Sequence, residues 1–233
     1  MESTIVLVHG AFAESASWNG VIDPLVTAGH RVIAAANPLR GLAADAEALS
    51  DLVRTIDGPV VLVGHSYGGA VITNVDADAG EIIGLVYVAG FAPNHGESCF
   101  TLAGMFPGST LGAVLEGTTD LTIAQARFHE QFAADVPQGD AARMAVTQRP
   151  VSRQALLEPS GERPLWKEVP SWFVFGELDR NIPCAAEHYM AERARARRIL
   201  EIPGASHAVP VAHPRATARV ILEVPTRDRV GVN

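Results

Sequence analysis

The stretch GHSYG, residues 64–68, follows the apolar run VVLV, residues 60–63, and precedes a helix-like stretch, AVITNV, at residues 70–75. Glycine lies two residues before and two residues after Ser66, and this lets the backbone turn sharply between a strand and a helix. Because a chain with 21 glycines can match five letters by chance, the flanking strand and helix decide the interpretation. They favour an exposed serine nucleophile over a structural turn.

The composition is typical of one globular domain. The 233 residues are 48% hydrophobic and 19% charged, without the bias of a disordered or fibrous chain. The formal net charge is −8, and no Lys/Arg-rich block is present. A nucleic-acid or anionic-membrane partner is therefore not expected, since phosphate contacts need clustered cations. The basic residues at 193–198 alternate with alanines and are typical of a helix end.

The cysteines and the N-terminal residues indicate in which cellular compartment we expect the protein. Cys99 and Cys184 lie far apart and lack the spacing of a disulfide or zinc framework. Residues 1–3 lead straight into an apolar, strand-like run without a basic region or a cleavage site. No apolar run approaches the length of a membrane span. We therefore expect a cytoplasmic protein with no metal, no cofactor and no membrane partner.

Short apolar runs alternate along the chain with amphipathic stretches, which is typical of a parallel sheet with helices on both faces. Each crossover is long enough for a right-handed βαβ unit. The predicted strands are Thr4–His9, Arg31–Asn37, Pro59–His65, Ile82–Gly90, Ser171–Glu177 and Arg197–Pro203. The predicted helices are Ser17–Ala28, Ala43–Ile56, Ser66–Ala79, Ala185–Ala194 and Arg215–Val224. Residues 225–233 are predicted to be a polar tail.

Residues 91–169 interrupt this alternation, because they contain many Gly and Pro residues but no strand-like run. The interval is too long for a loop inside a compact domain. We therefore expect a helical cap, inserted after the strand ending near Gly90, within a single domain that spans residues 1–233. The best helix candidate in the cap is Leu121–Ala134, where Phe128 and Phe132 lie four residues apart on one face.

Polar residues that follow the strands are the candidates for chemistry, because open parallel sheets bind ligands beyond the carboxyl ends of their strands. Asp179 lies in the loop after the fifth strand, and His207 lies in a loop of small residues after the sixth. With Ser66 they occur in the chain order of a nucleophile elbow. The imidazole is expected to take the serine proton and the carboxylate to orient the imidazole. A turn cap at Asp179 and a structural histidine at 207 are the alternatives.

Backbone N–H groups are expected to stabilise an oxyanion formed beside Ser66. Ala11 follows a glycine after the first strand, and Tyr67 begins the helix after the serine. Most large apolar residues of the cap are expected to form its own core. A subset is expected to line an apolar pocket above the serine. The aromatic residues that we expect to bind substrate are Phe12, Trp18, Phe128 and Phe132.

From residues 5–10 to residues 203–207 the chain resembles the alpha/beta-hydrolase superfamily. Within it, the chain is similar to small bacterial serine esterases that are related to plant methyl esterases and hydroxynitrile lyases. The resemblance implies a mostly parallel sheet with a cap inserted after the fourth strand. It also implies that Ser66, Asp179 and His207 form a triad that cleaves small carboxylic esters through an acyl-enzyme, without a cofactor.

Differences between this chain and related enzymes limit the reactions that we expect it to catalyse. Plant hydroxynitrile lyases that resemble this chain carry Thr where Gly10 stands and Lys where Ala208 follows the histidine. Without that ammonium no cation stabilises a departing cyanide, so ester hydrolysis is favoured over cyanohydrin cleavage. Dehalogenases and epoxide hydrolases of similar fold need a carboxylate nucleophile where this chain has Ser66. Acyl transfer and a receptor-like protein that binds small molecules with little turnover are the remaining interpretations.

Overall fold

The structure is a computed structural model that describes residues 3–224. Its strands are β1 (Thr4–Val8), β2 (Arg31–Ala35), β3 (Pro59–Ser66), β4 (Glu81–Gly90), β5 (Leu115–Glu116), β6 (Asp120–Ile123), β7 (Val151–Ser152), β8 (Ser171–Gly176) and β9 (Arg198–Ile202). Its α-helices are α1 (Asn19–Thr27), α2 (Leu42–Arg54), α3 (Tyr67–Thr73), α4 (Cys99–Met105), α5 (Gln125–Phe132), α6 (Gln138–Thr147), α7 (Arg153–Leu157), α8 (Cys184–Arg193), α9 (Val209–Ala212) and α10 (Pro214–Ile221). Short 3-10 helices are Ser15–Trp18, Leu111–Ala113 and Leu165–Lys167.

Six strands form one parallel sheet in the order β2-β1-β3-β4-β8-β9. The inner strands β1 and β3 are buried along their whole length, which explains why they consist mainly of consecutive Val, Ile and Leu residues. The strand order reverses between β1 and β3, because β2 lies on one side of β1 and all later strands lie on the other. In such sheets the crevice at the carboxyl ends of the two strands is where ligands bind.

The six sheet strands that the sequence predicts are present, with bounds shifted by one or two residues. The helix predicted over Ser66–Ala79 is shorter, since it runs only from Tyr67 to Thr73. The side-chain amide of Asn74 donates to the carbonyl of Ala70 at 2.9 Å, and the chain then leaves the helix.

The tail predicted at residues 225–233 lies outside the described residues. No helix between residues 3 and 224 has the length and apolar character that crossing a bilayer requires.

The sequence predicts a helical cap, but residues 91–169 contain strands as well as helices. The cap contains β5, β6 and β7, which form a small antiparallel sheet in that order, together with helices α4 to α7. The prediction that Leu121–Ala134 is one helix is therefore wrong in its first part, because residues 121–123 belong to β6. The side-chain amide of Gln148 hydrogen-bonds both backbone groups of Ile123 at 2.8 Å. Strands of two to four residues are too short to show a period of two in the sequence.

Candidate active site

Ser66 lies at a strained corner between β3 and α3. Its φ is 54° and its ψ is −123°, a conformation that L-residues rarely adopt and that costs about 1–3 kcal/mol. The carbonyl of Ser66 accepts a hydrogen bond from the N–H of Phe91 at 3.1 Å, which holds the corner against the end of β4. The sharp turn that the GHSYG stretch predicts is therefore present, and it sets the serine at the carboxyl edge of the sheet.

Gly64 and Gly68 allow the backbone segments around this corner to approach closely. A Cβ atom on Gly68 would lie 2.4 Å from the carbonyl oxygen of Val8, and one on Gly64 would lie 2.5 Å from the carbonyl oxygen of Gly68. These neighbours are backbone atoms of packed elements, which cannot rotate away as a flexible side chain does. The two glycines are therefore required by the closeness of β1, β3 and α3.

We expect Gly68→Ala to destabilise the protein by about 1–3 kcal/mol, because the new methyl group forces α3 away from β1. The free energy of unfolding in urea measures this loss. Gly139→Ala in α6 is the matched control, since a Cβ atom there meets no atom within 4 Å. Equal stability of the two variants would contradict the tight approach of α3 and β1.

The loops after β8 and β9 bring Asp179 and His207 together. Nδ1 of His207 lies 2.5 Å from Oδ2 of Asp179, and both side chains are buried. The other carboxylate oxygen, Oδ1, accepts the backbone N–H groups of Asn181 at 2.7 Å and Ile182 at 3.0 Å. The carboxylate is thus held from both ends, and a proton on Nδ1 leaves Nε2 of the imidazole as the acceptor.

Nε2 of His207 is buried and has no hydrogen-bond partner among residues 3–224. The histidine lies beside the residue before Ser66, because its carbonyl oxygen is 3.1 Å from Nε2 of His65 and the two ring centroids are 4.9 Å apart. No hydrogen bond joins His207 to the Ser66 hydroxyl in the described part of the chain. Such bonds are often long in an enzyme without substrate. The structure therefore joins two of the three predicted residues directly, and the third, Ser66, follows His65, whose ring contacts His207.

The His65 side chain packs against the loop that contains His207. Burial is the main cause that lowers the pKa of His65 well below its ordinary value, so this imidazole is neutral at neutral pH. Its ring makes edge contacts with Trp18, at 6.3 Å between centroids, and with Phe132, at 6.0 Å. A neutral histidine in such surroundings does not compete with His207 for a proton.

A cavity of about 370 Å³ lies above Ser66. The serine is 7% exposed, and Phe12, Ala11 and Tyr67 line the cavity around it. The rest of the lining is mostly apolar and comes largely from α4 and the segment that follows it. Its larger side chains are Phe91, Phe100, Phe106, Leu111, Leu115 and Leu156.

Three of the four aromatic residues that we expected to bind substrate do not line this cavity. Trp18, Phe128 and Phe132 are at most 1% exposed and belong to the core. Phe128 and Phe132 stack on each other at 5.0 Å, and Phe132 packs edge-on against the His207 ring at 4.9 Å. Phe100, which does line the cavity, is 66% exposed, and sequence analysis did not single it out because one exposed aromatic gives no periodic signal.

Ala11 and Tyr67 present backbone groups beside the serine. Tyr67 is the first residue of α3, so its N–H has no acceptor within the helix. The turn that holds Ala11 lies against Ser66, since a Cβ atom on Gly10 would be 2.6 Å from the Ser66 Cβ. The Tyr67 phenol donates to Oδ2 of buried Asp45 at 2.7 Å, so this side chain is occupied elsewhere. Only the main chain of Tyr67 is available for chemistry.

A sequence profile described as the alpha/beta hydrolase family matches residues 5–220. The chain belongs to the alpha/beta hydrolase family. A curated relative is the carbendazim hydrolyzing esterase of Nocardioides sp. (strain SG-4G), which is 37% identical over 113 residues. The match covers 43% of this chain and 47% of that protein, so it spans about half the length of the relative.

Solved structures of an esterase and of a hydrolase superpose over almost the whole chain. Polyneuridine aldehyde esterase has a TM-score of 0.81 at 19% identity, over 96% of this chain and 99% of that one. A pyrethroid hydrolase from Sphingobium faniae JZ-2 has a TM-score of 0.75 at 20% identity, over 96% and 97%. At sequence identities of 19% and 20%, the structural similarity is evidence for the fold alone. Together with the family profile, it confirms the predicted alpha/beta-hydrolase fold.

Glu187 in α8 is a buried carboxyl group whose pKa is affected by the charge of Asp179, and sequence analysis missed it. It is 0% exposed, and neither of its oxygens has a hydrogen-bond partner among residues 3–224. Burial, with a smaller contribution from the negative charge of Asp179, raises the pKa of Glu187 well above its ordinary value of 4.5. The carboxyl group is therefore held neutral, and it adds no second negative charge beside the histidine.

We expect Glu187→Gln to stabilise the protein increasingly as the pH rises. The unfolded wild type ionises this residue near pH 4.5, whereas the folded protein keeps the proton, so wild-type stability falls as the pH rises from 4.5 toward the folded pKa. Glutamine has no such titration. The difference in unfolding free energy should be constant below pH 4.5 and grow by about 1.4 kcal/mol per pH unit above it, until the pH reaches the folded-state pKa.

Urea unfolding at several pH values between 4 and 8 measures this difference. Glu192→Gln, at an exposed position of the same helix, is the control and should follow the wild type closely. A difference for Glu187→Gln that does not change with pH would contradict the neutral, buried carboxyl group.

Proposed function

We propose that this alpha/beta hydrolase cleaves small carboxylic esters through an acyl-enzyme on Ser66. The observation that carries the proposal is the serine at a strained corner with φ of 54°, which lines an apolar cavity and follows His65, the residue whose ring contacts His207 of the Asp179–His207 pair. Membership of the family and a relative whose name describes an esterase support the same reaction class.

In the first half of the reaction, Oγ of Ser66 attacks the ester carbonyl carbon while Nε2 of His207 takes the hydroxyl proton. Asp179 keeps the proton on Nδ1 and stabilises the imidazolium that forms. The carbonyl oxygen becomes an oxyanion, which accepts hydrogen bonds from the N–H groups of Ala11 and Tyr67. When the tetrahedral intermediate collapses, the imidazolium protonates the departing alkoxide and the alcohol leaves.

In the second half, water takes the place of the alcohol. Nε2 of His207 removes a proton from the water as its oxygen attacks the acyl carbon, and the same N–H groups hold the second oxyanion. Collapse breaks the bond to Oγ, and the proton returns from the imidazolium to Ser66. The carboxylic acid leaves, and the free enzyme is regenerated.

The cavity favours compact substrates with an apolar part. Its volume of about 370 Å³ is near the lower end of the range of about 300–1,000 Å³ for ligand pockets. Phe100, Phe106 and Leu111 offer apolar contacts, whereas no charged residue lines the cavity within residues 3–224. We therefore propose uncharged esters with a short aliphatic or an aryl group as the substrate class.

Turnover of p-nitrophenyl acetate and p-nitrophenyl butyrate tests the proposed function. We expect a burst of p-nitrophenol equal to one molecule per protein chain, because acylation precedes slower deacylation. Mass spectrometry of the quenched protein should then find a butyryl group on the peptide that contains Ser66. Added alcohol distinguishes hydrolysis from acyl transfer, since an acyltransferase forms a new ester instead of butyrate.

A rate equal to the buffer background, together with no labelling of Ser66 by a serine-directed phosphonate, would overturn the proposal. Tight binding of an unreactive ester analogue under those conditions would instead support a small-molecule binding protein of the same fold.

A further inference from the structure

Three metal-ligating side chains meet between α8 and the edge strand β9, and none of them lines the cavity that contains Ser66. Cys184 and His188 lie four residues apart on α8, so they share one face of the helix. Glu201 reaches them from β9. One ligand atom of each residue, a thiol sulfur, an imidazole nitrogen and a carboxylate oxygen, lies within 4.8 Å of the other two.

The imidazole and the carboxylate are already positioned by packing and hydrogen bonding. Nε2 of His188 is 2.7 Å from Oε2 of Glu201. The His188 ring packs edge-on against Phe175 of β8, with 5.0 Å between centroids and 85° between planes. Both polar side chains are more than a third exposed, at 39% and 37%, so an ion can reach them from solvent. Rotamer entropy lost on metal binding is therefore small for these two ligands.

Sulfur, nitrogen and oxygen donors together suit a borderline-soft divalent cation. Around such an ion, with bonds of about 2.0–2.3 Å and tetrahedral angles, ligand atoms lie about 3.3–3.7 Å apart. The nitrogen–oxygen separation of 2.7 Å must widen by less than about 1 Å. The sulfur lies within 4.8 Å of the other two atoms, so it has to approach them by about 1.5 Å at most. Side-chain rotation alone covers these distances, so neither α8 nor β9 has to move.

We propose that Cys184, His188 and Glu201 bind one Zn²⁺-type divalent cation between α8 and β9, with water completing the tetrahedron. Binding forms the metal–sulfur, metal–nitrogen and metal–oxygen bonds and releases the thiol proton to solvent. It also displaces the proton between Nε2 of His188 and Glu201, while Nδ1 of the imidazole takes up a proton from solvent, so His188 binds as a neutral imidazole. The sequence alone indicated no metal site, because Glu201 lies 13 residues beyond His188 and joins it only through the pairing of β8 with β9.

Titration of tag-free, EDTA-treated and desalted protein with Co²⁺ tests the site without any measurement of ester hydrolysis. We expect one equivalent to produce tetrahedral d–d bands in the visible and a sulfur-to-cobalt charge-transfer band in the near ultraviolet. Zn²⁺ should abolish both bands by displacement and should raise the melting temperature of the wild type, because the ion binds the folded state preferentially.

Variants separate this site from other thiols and imidazoles of the protein. Cys184→Ala should lose the charge-transfer band, and His188→Ala and Glu201→Gln should each weaken Co²⁺ binding by about tenfold or more. Cys99→Ala, which removes the other cysteine, should keep the band. Circular dichroism without metal shows whether each variant is folded.

Absence of the charge-transfer band in the wild type would overturn the proposal. So would a band that survives Cys184→Ala but disappears in Cys99→Ala. An equal rise in melting temperature with Zn²⁺ in the wild type and in Cys184→Ala/His188→Ala would likewise place the ion elsewhere. These results do not depend on Ser66, so the metal site and the proposed esterase activity can fail separately.

Discussion

Ser66→Ala is expected to lower kcat/KM for p-nitrophenyl butyrate by about 10⁴- to 10⁶-fold. Alanine keeps the Cβ atom but removes the oxygen that forms the acyl bond, so neither the covalent intermediate nor the burst can form. Initial rates over a range of substrate concentrations measure the loss. The residual activity should show no burst of p-nitrophenol.

The stability of Ser66→Ala separates chemistry from folding. The backbone strain at φ of 54° is present with either residue, so the unfolding free energy should stay within about 1 kcal/mol of the wild type. Ser17→Ala, at a position outside the cavity, is the control for loss of a serine hydroxyl and should keep wild-type kinetics. A Ser66→Ala protein that retains a tenth of the wild-type rate would show that this serine is not the nucleophile.

Asp179→Asn is expected to lower kcat by about 10⁴-fold through a change of imidazole tautomer. Oδ1 of Asp179 accepts two backbone N–H groups, so the amide oxygen of asparagine should take that position and its NH₂ group should face His207. Nδ1 then accepts a hydrogen bond, and the proton moves to Nε2. An imidazole protonated at Nε2 cannot take the serine proton.

The chain offers a matched control for this substitution. Asp135 lies 2.9 Å from Nε2 of His213 and also accepts a hydrogen bond from the hydroxyl of Ser206, so it supports the loop next to His207 without a hydrogen bond to the His207 imidazole. Asp135→Asn should therefore lower kcat far less than Asp179→Asn. Equal losses would indicate that both carboxylates act only by holding the loop, and the orienting role of Asp179 would be withdrawn.

The sheet and the candidate triad could be predicted because both leave local patterns in the sequence: apolar runs for the strands, and polar residues directly after them. A fully buried parallel strand must be apolar along its length, so the strands were visible as runs of Val, Ile and Leu. Parallel strands end at one edge, so polar residues after the third, fifth and sixth predicted strands were expected to meet there. The contact between Asp179 and His207 agrees with that expectation.

Features that depend on contacts between distant segments were not predictable. The antiparallel strands of the cap are held partly by the side chain of Gln148, which no local pattern encodes. Phe128 and Phe132 lie on one helix face as predicted, but only the packing of α5 decides whether that face meets the cavity or the core. The burial of Glu187 likewise follows from where α8 lies, since charged residues are rarely placed inside.

The cavity described above takes most of its wall from one stretch of chain, residues 99–115, whereas the three proposed reacting residues come from loops of the sheet. Under the proposed function, most residues that contact the substrate are therefore separate along the chain from those that carry the chemistry. Exchange of this one stretch for the corresponding segment of another family member is expected to change which esters are cleaved while hydrolysis is retained.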